Sequence, residues 1–213
     1  HPLGSRAWWR AHAVELHDSW NLVFLGSLNL AHLVWWAGHS VSHRVVECLF
    51  FADFIYIWAD FAWLLALPEC VNPRVWRTLV AHHATIVSMS YLGFNNPVLM
   101  RHAVRCWVVE VASWNHIATR KFKSPVFEKV NKPLYIVTRL IGWPVAYFAY
   151  LRDRNSLSAS EVLRWVPSRV HILLSFMQLL LYGLMIHWGY NLLLRKPDPP
   201  KGRKSSLGAR AVM

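Results

Sequence analysis

The sequence is poor in charge, above all in acids. Asp and Glu number 11 against 23 Lys and Arg, and charged residues make up only 16% of the 213. Soluble domains carry about 25%, so a surface that faces water on all sides is excluded. Cysteine is scarce as well. Cys48, Cys70 and Cys106 are odd in number and have no CxxC spacing, which excludes a disulfide framework and a zinc centre as organising devices. Two of them sit in apolar runs, where a thiol packs as a small hydrophobe. The net charge of +12 would by itself suggest phosphate binding. Its distribution follows membrane topology better, and no nucleic-acid partner is expected.

What the chain has instead is apolar and aromatic: 55% hydrophobic residues, with 13 Trp. Runs of the roughly 20 residues needed to cross a ~30 Å hydrocarbon core recur at 20–38, 46–67, 75–94, 98–119, 134–151 and 170–194. The expectation is an all-α, multi-pass membrane bundle of about six transmembrane helices. An interfacial N-terminal segment covers 1–19, the membrane domain 20–194, and a basic tail 195–213. The tail has no apolar period and is expected to be disordered unless a partner holds it. Residues 120–133 read as a polar, lysine-rich loop, and Gly142-Trp143-Pro144 as a kink, because proline lacks a backbone donor. The start at His1, with no apolar h-region before the first span, reads as a removed presequence or, in HPLGS, as a protease scar.

A mean hydropathy of +0.25 is low for such a protein, because the spans carry polar residues on one side. In the first, Asn21, Asn29, His32 and Trp36 share a helical face. In the second, Asp53, Tyr56 and Asp60 form one stripe. The third holds the pair His82-His83 near its middle. The fourth has Arg101, His102 and Arg105 at its start, then Glu110, Ser113, Asn115 and His116. The fifth has Arg139, and the sixth aligns His171, Ser175, Gln178 and Tyr182. A charged group at a helix centre costs roughly 2.5 kcal/mol or more, so Glu110 is expected to find a donor in His82, His83 or Arg139. The plainer reading of the two aspartates is neutralisation by burial or a basic neighbour. Arg101 and Arg105 snorkel on the same plain reading.

Counting Lys and Arg along these six spans puts 15 on the side of both termini and 7 on the other, with Arg139 left in the membrane. Both termini are therefore expected on the cytosolic or matrix side.

The order of these features resembles the TLC-domain family, which includes the ceramide synthases and other lipid-related membrane proteins. The resemblance covers about 47–194. It is carried by DFIYIWAD at 53–60, HHATIVSMSY at 82–91, EVASWNHIATRKF at 110–122 and the one-sidedly polar last span. The ceramide synthase pattern HHxxT is altered, since Thr85 comes one position early. In place of the family's HDxxD, the fourth helix has Arg105, Cys106, Trp107 and Glu110. The chain looks like a divergent branch outside the ceramide synthases.

Two functions are to be weighed, a non-catalytic one favoured by the missing HDxxD and the processed-looking start, and the acyltransferase that the resemblance implies. One is lipid binding without catalysis, as a membrane-composition or trafficking factor or as an accessory subunit of a larger, mitochondrial or endoplasmic-reticulum complex. Its partners are acyl chains, other membrane subunits and, at the basic face, anionic headgroups. The lining residues would be Tyr56, Thr85, Glu110, Asn115, Arg139, His171, Ser175, Gln178 and Tyr182. The other is an acyl-CoA-dependent N-acyltransferase, with His82 or His83 as base or nucleophile, Asp53 or Asp60 orienting the imidazole, and acyl-CoA as substrate. No cofactor is implied by either. A third reading, a metal-dependent oxidase, is prompted by His39-x-x-x-His43 beside His82-His83. It lacks the further histidine boxes of a di-iron site, and no metal is expected.

Overall fold

A computed structural model describes residues 4–37, 42–94 and 96–194. Among the described residues the chain is all helical, in seven continuous helices with no strand. Helix α1 is Arg6–Ala37 and α2 is His43–Ala66; a 3-10 turn, Pro68–Cys70, leads to α3, Pro73–Gly93. Helix α4 covers 97–122 and tightens to a 3-10 turn at Trp107–Val109. Helix α5 is Pro125–Asn155 with a π-helical stretch at Ile136–Gly142. Helices α6, Ala159–Trp165, and α7, Ser168–Leu193, complete it.

One device starts three of these helices. Asn72-Pro73, Asn96-Pro97 and Ser124-Pro125 each place a capping side chain before a proline at the first helical position. The cap accepts an otherwise orphaned backbone N–H, and proline has no N–H to orphan.

Helices α2, α5 and α7 are long and apolar enough to cross a membrane. The burial pattern is inverted relative to a soluble protein. On α1, His17, Asp18, Asn21, Asn29 and His32 are buried while Val23, Leu30 and Val34 are more than 60% exposed. On α7, Gln178 is buried while Ile172, Phe176 and Leu179 face outward. An apolar exterior around a hydrogen-bonded interior suits lipid as the solvent.

Side-chain contacts fix the directions. His17 and His32 of α1 meet Asp60 and Asp53 of α2, so the two run antiparallel. Asp60 meets His83, and Phe50 packs against Phe94, which orients α3 against α2. Asp18–Arg120 and the Trp114 indole on Leu22 O bind α1 to α4. Tyr150–His171 and Tyr135 on Met185 O run α5 against α7.

Three features differ from the sequence reading. Helix α1 passes through residue 19 without a break, because Ala13, His17 and Asp18 continue the buried face of Asn21 and Leu25. The lysine-rich stretch 120–133 is not a loop: only 123–124 lie between helices, and α5 opens one proline-capped turn after α4 closes on left-handed Lys123. The lysines point outward while Asn131 is buried, its side chain facing Asn115. The break at Gly142-Trp143-Pro144 takes the form of the π-helical stretch just before it, which absorbs the missing proline donor without ending the helix. His1, His39 and the tail from 195 lie outside the described residues.

Candidate functional site

The polar seam resolves into separate centres rather than one hub around His82 and His83. At the first, Asp60 of α2 takes His17 Nε2 on Oδ1 and His83 Nε2 on Oδ2, each at 2.8 Å. The Asn21 amide adds a bond to Asp60 Oδ1 at 3.3 Å and one to His17 O at 2.9 Å. Its carbonyl accepts the Tyr56 hydroxyl. The second centre repeats the theme: His32 Nε2 lies 3.1 Å from Asp53 Oδ2.

The two centres share a proton arrangement. His83 Nδ1 lies 2.9 Å from Leu79 O and His32 Nδ1 lies 2.8 Å from Leu28 O. A carbonyl can only accept, so each Nδ1 carries hydrogen; an Asp facing Nε2 then requires a second proton between the pair. Each His–Asp pair therefore holds one proton more than a neutral imidazole plus a carboxylate, and is neutral as a unit. Neutral pairs suit a low-dielectric interior.

His82 stands apart. It is 4% exposed, its Nδ1 has no partner, and its ring lies edge-on to Trp188, 5.2 Å between centroids. Arg139 does not pair with Glu110. Its Nε donates to Val109 O at 3.4 Å, its Nη2 donates to Ser113 Oγ, and its guanidinium lies over Tyr135 and Trp188. The π-helical stretch turns both Thr138 and Arg139 inward, where a regular helix spaces buried positions three or four apart.

A third centre occupies the opposite end. The Gln178 amide nitrogen donates to His102 Nε2 at 2.7 Å, and Tyr147 OH meets Ser175 Oγ at 2.7 Å. His171 Nδ1 meets Tyr150 OH at 3.0 Å, and Tyr182 donates to Leu140 O. Asn115 bonds to Phe127 O at 3.1 Å and faces Asn131, so it ties α4 to α5. Thr85 donates to Ala81 O of its own helix and takes no part in the seam.

Between these centres lies a cavity of ≈ 60 Å³. Asp53, Ser90, His102, Cys106 and Glu110 contribute polar groups to a wall that is otherwise Phe50, Ile57, Met89, Trp107 and Leu181. Among the described residues no group of three or more His, Cys, Asp or Glu is arranged to hold a metal ion.

Two functional partners escaped the sequence reading: His17 for Asp60, and Arg120, which forks onto Asp18 through Nε at 2.8 Å and through Nη2. The i, i+4 spacing of His17 and Asn21 was the available signal for the first. Comparison with known proteins found no matching family model, no matching curated protein and no matching solved structure.

Proposed function

We propose that the chain is an integral membrane protein of TLC-like type that handles lipid without catalysis, as a membrane-composition factor or as an accessory subunit of a larger membrane assembly. The observation that carries the non-catalytic reading is the engagement of His83 at both ring nitrogens. No lone pair is left there for a base or nucleophile. His82, the alternative, has no carboxylate on its ring to raise its basicity.

Lipid contact is then external. The interior cavity, at ≈ 60 Å³, is far below the roughly 300–1,000 Å³ of small-molecule sites, so acyl chains lie along the apolar outer faces of α1, α2 and α7. In this reading α1, α3 and α4 cross the membrane with α2, α5 and α7, their polar faces turned inward. Arg10–Glu69 at 3.2 Å and Lys121–Glu15 at 3.3 Å gather the basic ends of α1, α3 and α4 at one rim, where anionic headgroups would lie. Both termini share that side, cytosolic or matrix. No cofactor is needed.

The test is the purified chain in nanodiscs, supplied with acyl-CoA and a long-chain amine. No amide product is expected, and native mass spectrometry should find the same bound lipid in wild type and in the His82→Ala/His83→Ala variant. Amide formation abolished by His83→Ala would overturn the reading and establish the acyltransferase. Migration of the native protein as a lone chain would remove the accessory-subunit version.

A further inference from the structure

Glu110 is 8% exposed, lies at the middle of α4, and has no hydrogen bond or ion pair from its side chain among the described residues. Its backbone alone is used, the carbonyl by Asn29 and the N–H on Trp107 O. The cations that could have met it are engaged elsewhere: Arg139 with Ser113 and two rings, Arg105 with Asp153 at 2.6 Å. His102, on the same cavity wall, accepts from Gln178 at Nε2 and brings no charge. The His32–Asp53 pair is neutral as a unit. The cavity thus has in its wall a carboxyl group that no side chain among the described residues touches.

Two further groups there lack partners. Ser90, 9% exposed, is a cavity residue whose hydroxyl makes no hydrogen bond among the described residues, although Thr85 and Ser88 on the same helix each bond back to the preceding turn. Asp53 is 7% exposed and its Oδ1 has no partner. Buried polar groups are nearly always satisfied, and here a hydroxyl and two carboxyl groups, all oxygen donors, line one space.

We propose that this cavity binds one small, hard monovalent cation of the sodium class, held by Glu110 with Ser90, Asp53 and a retained water. Oxygen-only ligands favour hard cations. A carboxylate that no protein cation touches is matched by one monovalent cation, and ≈ 60 Å³ accommodates a sodium ion and water but no organic ligand. The inference needs only a membrane-embedded bundle and does not depend on the lipid-handling reading.

The test is equilibrium dialysis of the purified full chain against radioactive sodium, with thermal unfolding in sodium, potassium and choline chlorides at equal ionic strength. About one sodium per chain is expected, with a sodium-specific rise in Tm of about 5–10 °C at a hundred times the Kd. Glu110→Gln should abolish both effects, and Glu15→Gln, an exposed carboxylate, should retain them. If Glu110→Gln does not fold, Ser90→Ala must weaken sodium binding at least several-fold. No bound sodium, an equal shift in choline, or unchanged affinity in Ser90→Ala would each overturn the proposal.

Discussion

His83 meets Asp60 at 2.8 Å through Nε2 while its other nitrogen sits on Leu79 O, so the imidazole is held between two acceptors. Asp60 is in turn shared with His17 at 2.8 Å, and one carboxylate fastens three helices.

Removing that carboxylate should therefore be severe. Asp60→Leu strands two buried imidazoles, and breaking a buried pair costs about 3–5 kcal/mol. The expected loss in Tm is on the order of 10 °C. Asp60→Asn keeps one acceptor oxygen and should cost less. A double-mutant cycle of Asp60→Asn with His83→Ala should give a coupling of about 1 kcal/mol or more, and additivity would disprove the shared-proton arrangement.

Gly26 packs against Trp114: a Cβ there would lie 2.7 Å from Nε1, the atom that donates to Leu22 O at 3.0 Å. Gly26→Ala should displace the indole and lower stability by about 1–3 kcal/mol, read as a Tm shift. Gly183, with open space around its Cβ position, should accept alanine without loss.

Cys70 lies in the turn between α2 and α3 and is fully buried. Burial, with the charge of Asp60 adding to it, pushes its thiol up to about 12. The reactive thiolate is then negligible at pH 8. In detergent, Cys48, which is exposed, should take up maleimide while Cys70 reacts only after denaturation. Comparable native rates would contradict the packing of Cys70 beneath α1.

The α6 cap should respond to acid. Glu161 is held below the usual carboxylate range by hydrogen bonds from the Ser158 side chain and backbone, which complete a capping box. A carboxyl whose folded pKa is lowered stabilises above its unfolded value and loses that contribution as the pH falls through the folded one. Amide protection factors across Ala159–Trp165, with the intrinsic pH dependence of exchange divided out, should fall on acidification, and Ser158→Ala should reproduce the loss of protection at neutral pH. A pH-independent protection factor would rule out the box.

The helical class and the inward faces were legible because polar residues in apolar helices have one sensible direction. Asn21, Asn29 and His32 on α1 and Asp53, Tyr56 and Asp60 on α2 are all buried as their spacing required. Trp36, on the same predicted face, is 40% exposed, since an indole tolerates the outer surface that an amide does not. Which polar residue meets which was not legible. Pairing depends on helix rotation and on the π-helical stretch that brings Arg139 inward onto Val109 O and Ser113, and neither it nor His82 or His83 meets the Glu110 carboxyl. Helix ends were misjudged where lysines suggested a loop, because lysine reports exposure and not backbone conformation.

The division of labour among the helices bears on how the protein is made. Among the described residues α2, α5 and α7 are the helices long and apolar enough to cross a membrane, and α2 carries the acids that answer the histidines of α1 and α3. In the proposed arrangement α1 also crosses the membrane, and it reaches the insertion machinery before its counter-groups exist. It is then expected to wait at the channel wall until Asp53 and Asp60 emerge in antiparallel register, and the unit expected to enter lipid is the α1–α2 hairpin. Substitutions at Asp60 should then lower the yield of inserted protein before they lower the stability of what is inserted.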